Sequence, residues 1–236
     1  CSRISKYLFY YLSGLAMAIT SSHDNHLSKL DRGIVFFDRA LRSFVPNSNL
    51  STRPLPVSDN TTIPQLSVQE ARHVAGLMRI NHTGEVCAQG LYHGQAFTAK
   101  DDTVKRAMHQ SAQEEIDHLV WCEIRLHELG SHPSVFSPLW YGMSFGLGAV
   151  AGLISDEFSL GFVAETEIQV SEHLQDHIGQ LPVQDQRSAE ILAQMDKEEL
   201  EHRDKALAAG ASQLPPPVRA GMRLMANVMK GVAYHI

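Results

Sequence analysis

Two copies of one short pattern carry the chemistry of this chain: Glu114-Glu115-Ile116-Asp117-His118 and Glu198-Glu199-Leu200-Glu201-His202. Each contains a Glu-x-x-His, and each follows another glutamate, Glu85 or Glu167, by about thirty residues. Positions i and i+3 of a helix share a face, so Glu115 with His118, and Glu199 with His202, can point the same way. Four carboxylates and two imidazoles in two matching halves form the ligand set from which helix bundles build sites for two iron or manganese ions. Carboxylates can bridge two cations, neutral imidazole suits iron, and open coordination positions would remain for dioxygen.

A lone Glu-x-x-His means little among thirteen histidines. A third match, Glu70-Ala71-Arg72-His73, has no partner copy, and it sits about 22 Å along a helix from Glu85 at 1.5 Å per residue. The alternative for the twin units is a pair of solvated faces with ion pairs to Lys197, Arg203 and Lys205. Carboxylate-rich clusters repel one another unless a cation is present, which favours the metal reading. Glu114, Asp117, Glu198 and Glu201 are candidates to accept the second ring N–H of each ligating histidine. His173, close to two turns after Glu167, is a further candidate for that supporting role.

These residues require helices to position them, and the sequence supplies the punctuation. Residues 27–44 carry Leu27, Leu30, Ile34, Phe37 and Leu41 on one stripe, which predicts a short amphipathic helix. Residues 45–66, with Pro46, Pro54, Pro56 and Pro64, read as a linker or meandering loop. Ser67-Val68-Gln69-Glu70 is a capping box and starts a helix that runs to about Lys100. Asp101 and Asp102 mark the next start, and Gly130 marks its end. A third long helix is expected over 157–179 and a fourth ends near Ala209, closed by Gly210. After Pro215-Pro216-Pro217 a last helix spans 218–233.

No strand is expected and the class is all-α. The domain plan is an atypical extension over 1–25, a short helix and Pro/Ser-rich linker over 26–66, and a helical bundle over 67–236. Short connections make two antiparallel hairpins joined by a long crossover. The midpoint of Glu85 and Glu115 is residue 100, and that of Glu167 and Glu199 is residue 183. Both fall at expected turns, so all four glutamates can lie in one layer.

Residues 139–155, LWYGMSFGLGAVAGLIS, carry no charge. Gly142, Gly146, Gly148 and Gly152 make two small-xxx-small pairs that permit close helix approach. Trp140 and Tyr141 at its start resemble an interfacial aromatic anchor. The run falls short of the roughly twenty residues that span a bilayer. It reads either as a buried crossover or as a segment lying in a membrane interface.

The net charge of −6 comes without a like-charge block, and two divalent ions would offset much of it. With no basic stripe and interleaved aromatics, nucleic acid is not an expected partner. Three cysteines without paired spacing fit a reducing compartment. Arg3 and Lys6 precede an apolar run, Leu8 to Ile19, that ends near Ala16-Met17-Ala18 in the manner of a signal peptide. Cys1 is no initiator, and Met17 is the expected start.

Taken together, Asn81-His82-Thr83-Gly84-Glu85, Glu115-Ile116-Asp117-His118, Val163-Ala164-Glu165-Thr166-Glu167 and Glu198-Glu199-Leu200-Glu201-His202 resemble the bacterial demethoxyubiquinone hydroxylase family over residues 27–236. The resemblance implies a ferritin-like four-helix bundle with extra N- and C-terminal helices. It implies two iron ions held by Glu85, Glu115, His118, Glu167, Glu199 and His202, with Glu115 and Glu199 as bridges and dioxygen as co-substrate. It implies hydroxylation of 2-polyprenyl-3-methyl-6-methoxy-1,4-benzoquinol in ubiquinone biosynthesis, where other proteins of that pathway are possible partners. It also implies peripheral attachment to the cytoplasmic face of the cell inner membrane.

Three rivals share parts of this pattern. A ferritin-like iron-oxidising storage protein would not need the uncharged segment. A radical-generating subunit would need a tyrosine near the metals, and Tyr92 has the spacing. A helical membrane adaptor would bind lipid without stoichiometric iron.

Overall fold

The computed structural model describes residues 28–236, so the readings of the charged start and apolar run before them lie outside the described residues. Among the described residues there are seven helices and no strand. They are α1 (Lys29–Arg42), α2 (Val68–Thr98), α3 (Asp102–Glu128), α4 (Ser137–Ile154), α5 (Asp156–Gln180), α6 (Gln186–Ala208) and α7 (Pro216–Ala233). The chain from Arg42 to Ile236 forms one compact unit, and α1 belongs almost wholly to a separate one. Within α1, Ile34, Phe37 and Leu41 lie on the exposed side while Ala40 is buried.

The expected capping box forms at the head of α2: Glu70 N–H donates to Ser67 Oγ, and Ser67 N–H to Glu70 Oε2. This uses the Glu70 carboxylate, and His73 instead meets Tyr234 Oη at 2.7 Å, so the third Glu-x-x-His builds no metal site. Asp101 caps α3 and Asp185 caps α6. Asp156, the first residue of α5, accepts the backbone N–H groups of Lys100 and Asp101. One carboxylate thus ties the α2–α3 turn to the start of α5. At the opposite end, Arg125 near the foot of α3 donates to Asp185 and Ser188 at the head of α6. The two antiparallel hairpins, α2–α3 and α5–α6, are fixed in depth at both ends.

The core is split into layers. Met78, Trp121, Leu126, Leu174, Leu192 and Met195 pack in one apolar cluster. Tyr92, Met108, Ala112, Leu160, Val163 and Ala206 pack in another. On every bundle helix the candidate ligands, Glu85, Glu115 and His118, Glu167, and Glu199 and His202, fall between residues of these two clusters. The sequence has placed a polar layer between two dry ones.

The uncharged segment is helix α4, and it packs more extensively on α2 than on any other helix. A Cβ at Gly90 or Gly94 of α2 would collide with the carbonyl of Tyr141 or Phe145, and a Cβ at Gly148 with that of Leu91. Backbones approach this closely only where side chains are missing. Gly148 and Gly152 make the contact, whereas Gly142 and Gly146 face open space, so one of the two small-residue pairs serves packing. Trp140 and Tyr141 are buried rather than displayed as anchors: Trp140 packs with Ile80 and Met229, and Tyr141 Oη meets His93 Nδ1 at 2.9 Å. The opposite face of α4 exposes Leu139, Met143, Leu147, Val150 and Leu153. The crossover is therefore buried on one side and greasy on the other. Among the described residues no helix is long and apolar enough to cross a membrane.

Candidate metal centre

Four helices each bring one glutamate to the polar layer: Glu85 from α2, Glu115 from α3, Glu167 from α5 and Glu199 from α6. All four are at most 3% exposed, and His118 and His202 join them from α3 and α6. The six groups form two sets, Glu85–Glu115–His118–Glu199 and Glu115–Glu167–Glu199–His202, in each of which one ligand atom per residue lies within 4.8 Å of the others. Glu115 and Glu199 belong to both sets.

Each imidazole turns its Nδ1 toward the shared glutamates and its Nε2 away from them. His118 Nδ1 lies 2.8 Å from Glu115 and 3.2 Å from Glu199, and His202 Nδ1 lies 2.8 Å from Glu115. Their Nε2 atoms face outward to carboxylates of the opposite helix, His118 to Glu198 at 2.7 Å and His202 to Glu114 at 2.9 Å. Both Nδ1 atoms and both oxygens of Glu115 are buried without a hydrogen-bond partner. Buried polar atoms are rarely left so. Orphaned nitrogen and oxygen donors converging on two shared carboxylates fit a pair of divalent cations, and the donor chemistry suits a first-row metal.

Electrostatics say the same. Burial pushes the Glu85 carboxyl up to about 8. Burial, with Glu199 and Glu115 adding repulsion, raises Glu167 well above the carboxylate range. Burial also opposes charge on Glu115 and on His118, but attraction wins: His202 and His118 hold Glu115 low, and Glu115 holds His118 high. His202 is likewise raised, against its burial, by Glu115 and Glu114. The layer concentrates negative charge out of reach of solvent, which bound cations would offset.

The supporting residues divide. Glu114 and Glu198 sit against the histidines, with Lys205 on the first at 3.0 Å. Asp117 is buried but turns away from the imidazoles to accept Ser51 Oγ–H at 2.8 Å and Thr52 N–H at 2.7 Å. Glu201 is exposed on α6, where Lys197 is 4.0 Å away. His173 bonds its own backbone at Gln169 and stacks by His177, with ring centroids 5.3 Å apart, so it does not join the layer. Six residues turn a helix through 600°, which leaves His173 about 120° from the side of Glu167. Glu165 is turned off the layer and accepts Gln169. Tyr92 is fully buried and its hydroxyl donates to Glu167; burial and the nearby carboxylates keep it a neutral phenol.

Sequence reasoning missed Arg53. From the Pro-rich loop, its guanidinium donates to Glu198 through both terminal nitrogens, to Asp117 through Nε, and lies 4.7 Å from the centre of the Trp121 ring. No periodicity marks such a residue, because the contact is made 145 positions away.

The model of the family described as ubiquinone biosynthesis protein COQ7 matches residues 72–233, which span all six convergent groups. This chain belongs to the COQ7 family. It is 75% identical over 210 residues to the 3-demethoxyubiquinol 3-hydroxylase of Psychrobacter arcticus, covering 89% of this chain and 98% of that protein. The protein of the same name from Psychrobacter sp. is 73% identical over 211 residues, 89% of this chain and 99% of its own length. That from Acinetobacter baumannii is 54% identical over 211 residues, with the same two coverages. The relatives' enzymatic name and the ferritin-like helical bundle agree with the demethoxyubiquinone hydroxylase resemblance drawn from the ligand motifs.

Proposed function

We propose that the chain is a di-iron monooxygenase that hydroxylates a demethoxyubiquinol, a polyprenyl-bearing benzoquinol, with dioxygen. The observation that carries the proposal is the sharing of Glu115 and Glu199 between two four-residue sets, in a chain of the COQ7 family. In this reading Glu85 and His118 would hold one iron ion, Glu167 and His202 would hold the other, and Glu115 and Glu199 would serve both. When bound, the two ions would supply the redox chemistry by which one oxygen atom enters the ring and the other leaves as water, with two electrons and two protons drawn from a separate reductant.

The chain's own residues do the rest. Glu198 and Glu114 fix the tautomer and orientation of His118 and His202, leaving each Nδ1 lone pair directed inward. The apolar layers above and below exclude bulk water from the polar one. Tyr92 occupies one oxygen of Glu167 and leaves the other for the metal. The exposed Leu139–Leu153 face of α4 would rest on the inner membrane from its cytoplasmic side, without spanning it, where a polyprenyl substrate resides.

The decisive experiment couples iron quantification to hydroxylation of demethoxyubiquinol in membranes. Wild type is expected to carry two iron ions per chain and to turn over. Glu199→Ala or His202→Ala should abolish turnover while the protein stays helical. Full iron content with retained turnover in either variant would overturn the assignment.

A further inference from the structure

The loop before the bundle is held by acids of α3 and α6. Asn47 N–H donates to Glu123, Ser58 N–H to Glu190, and Ser51 and Thr52 to Asp117. These bonds would suffice to seat a loop. Arg53 does something different. Its two terminal nitrogens lie 2.6 and 2.9 Å from the two oxygens of Glu198, a bidentate grip, and Glu198 is the carboxylate that receives His118. Its planar face covers Trp121, whose ring centre is 5.3 Å from that of His118. Arg53 therefore reaches His118 by two routes, a hydrogen-bonded one through Glu198 and a packed one through the tilted Trp121 ring. Only a guanidinium combines a fork for a carboxylate with a flat face for an indole.

The other half of the centre has no such clamp. Glu114, the partner of His202, is held by the single ammonium of Lys205 and by Gln110. Glu114 is also 34% exposed at its side chain against 13% for Glu198. The two halves match in ligands and differ in what stands behind them.

We propose that Arg53 is a positioning residue of the metal centre, which fixes His118 through Glu198 and Trp121 so that seating of the 51–53 loop and metal binding at the Glu85–His118 half are one coupled event. The inference rests on the six-ligand reading proposed above. Arg53 lies outside the six convergent groups, and its effect is transmitted. Supports of a ligating imidazole are worth about 10–100-fold in metal affinity.

The test is an anaerobic Co(II) titration of the full chain, read by the ligand-field spectrum, with hydrogen exchange measured at the Thr52 amide. Wild type should bind two ions, and loading should slow exchange at Thr52. Arg53→Gln should weaken one of the two steps about tenfold, perturb one set of ligand-field bands and abolish the protection. Arg53→Lys should recover only part, since an ammonium cannot make the fork. Arg223→Gln, which removes a charge from a surface pair with Glu172, should match wild type within about twofold. Two wild-type-like steps in Arg53→Gln would overturn the inference alone. An equal weakening of both steps, with a lowered melting point, would overturn it in favour of plain loop anchoring. A wild-type chain that binds no metal would overturn the ligand assignment and this inference with it.

Discussion

His118 and Glu198 meet across the bundle with Nε2 and Oε2 2.7 Å apart, and the pair His202–Glu114 repeats the contact in the opposite sense at 2.9 Å. In each Glu-Glu-x-x-His unit the second glutamate faces the layer, and the first reaches the histidine of the other unit. The doubled glutamate is thus two functions in adjacent positions, about 100° apart on the helix.

Glu198→Ala and Glu114→Ala are each expected to weaken metal binding by about 10–100-fold while preserving helicity. Glu198→Ala should be the more severe, because it also strands the Arg53 guanidinium. Stepwise metal titration checks this, and unchanged affinities in both variants would remove the role given to the cross-pairs.

Metal uptake should release protons. Both imidazoles are raised, so in the metal-free chain near neutral pH each carries a proton on Nδ1. A ligating Nδ1 must lose it. Glu85, pushed up to about 8, and Glu167 add to the count. Binding at about pH 7 should then release about two protons or more, and apparent affinity should rise with pH, since fewer protons remain to be displaced. Calorimetry in buffers of different ionisation enthalpy measures the release. Affinity that is flat between about pH 6 and 8 would contradict the protonation scheme.

Much of this was legible because it is local. Capping residues and glycine stops place the ends of α2, α3 and α5 and the close of α6 within about two residues of those observed, and equal spacing from each turn puts four glutamates at one depth. What escaped was angular or remote. His173 is close to Glu167 in turns but not in azimuth. Asp117 and Glu201 share a spacing in the twin units, yet one meets the 51–53 loop and the other is exposed beside Lys197. Nothing local distinguishes them, because the loop comes from far away in the chain. The crossover left two readings open, burial and membrane contact; one face of α4 is buried on α2 and the other exposes apolar side chains.

The glycines of that crossover give a matched stability test. Gly148→Ala would drive a Cβ into the backbone of Leu91, whereas Gly146→Ala meets nothing. The first should cost about 1–3 kcal/mol by forcing α4 off α2. The second should be neutral or stabilising by up to about 1 kcal/mol, from helix propensity alone. Urea unfolding of the two variants checks the sign. Equal effects would mean that α4 does not dock on α2 through this stripe.

The outer face of α4 can be tested separately from its inner one. Leu147 and Leu153 are 37% and 64% exposed, so charging them removes little core packing. Burying a leucine in an apolar phase is worth about 1.5–3 kcal/mol. If this face rests on lipid, Leu147→Glu and Leu153→Glu should each weaken co-sedimentation with liposomes about tenfold or more, since tenfold corresponds to about 1.4 kcal/mol. Unfolding midpoints should shift far less, as expected for surface positions. Turnover of a short-chain soluble quinol should survive in both variants, because neither residue faces the polar layer, whereas turnover of the membrane-borne substrate should fall with binding. Unchanged co-sedimentation would leave the exposed leucines without a membrane role and separate the site's chemistry from its proposed location.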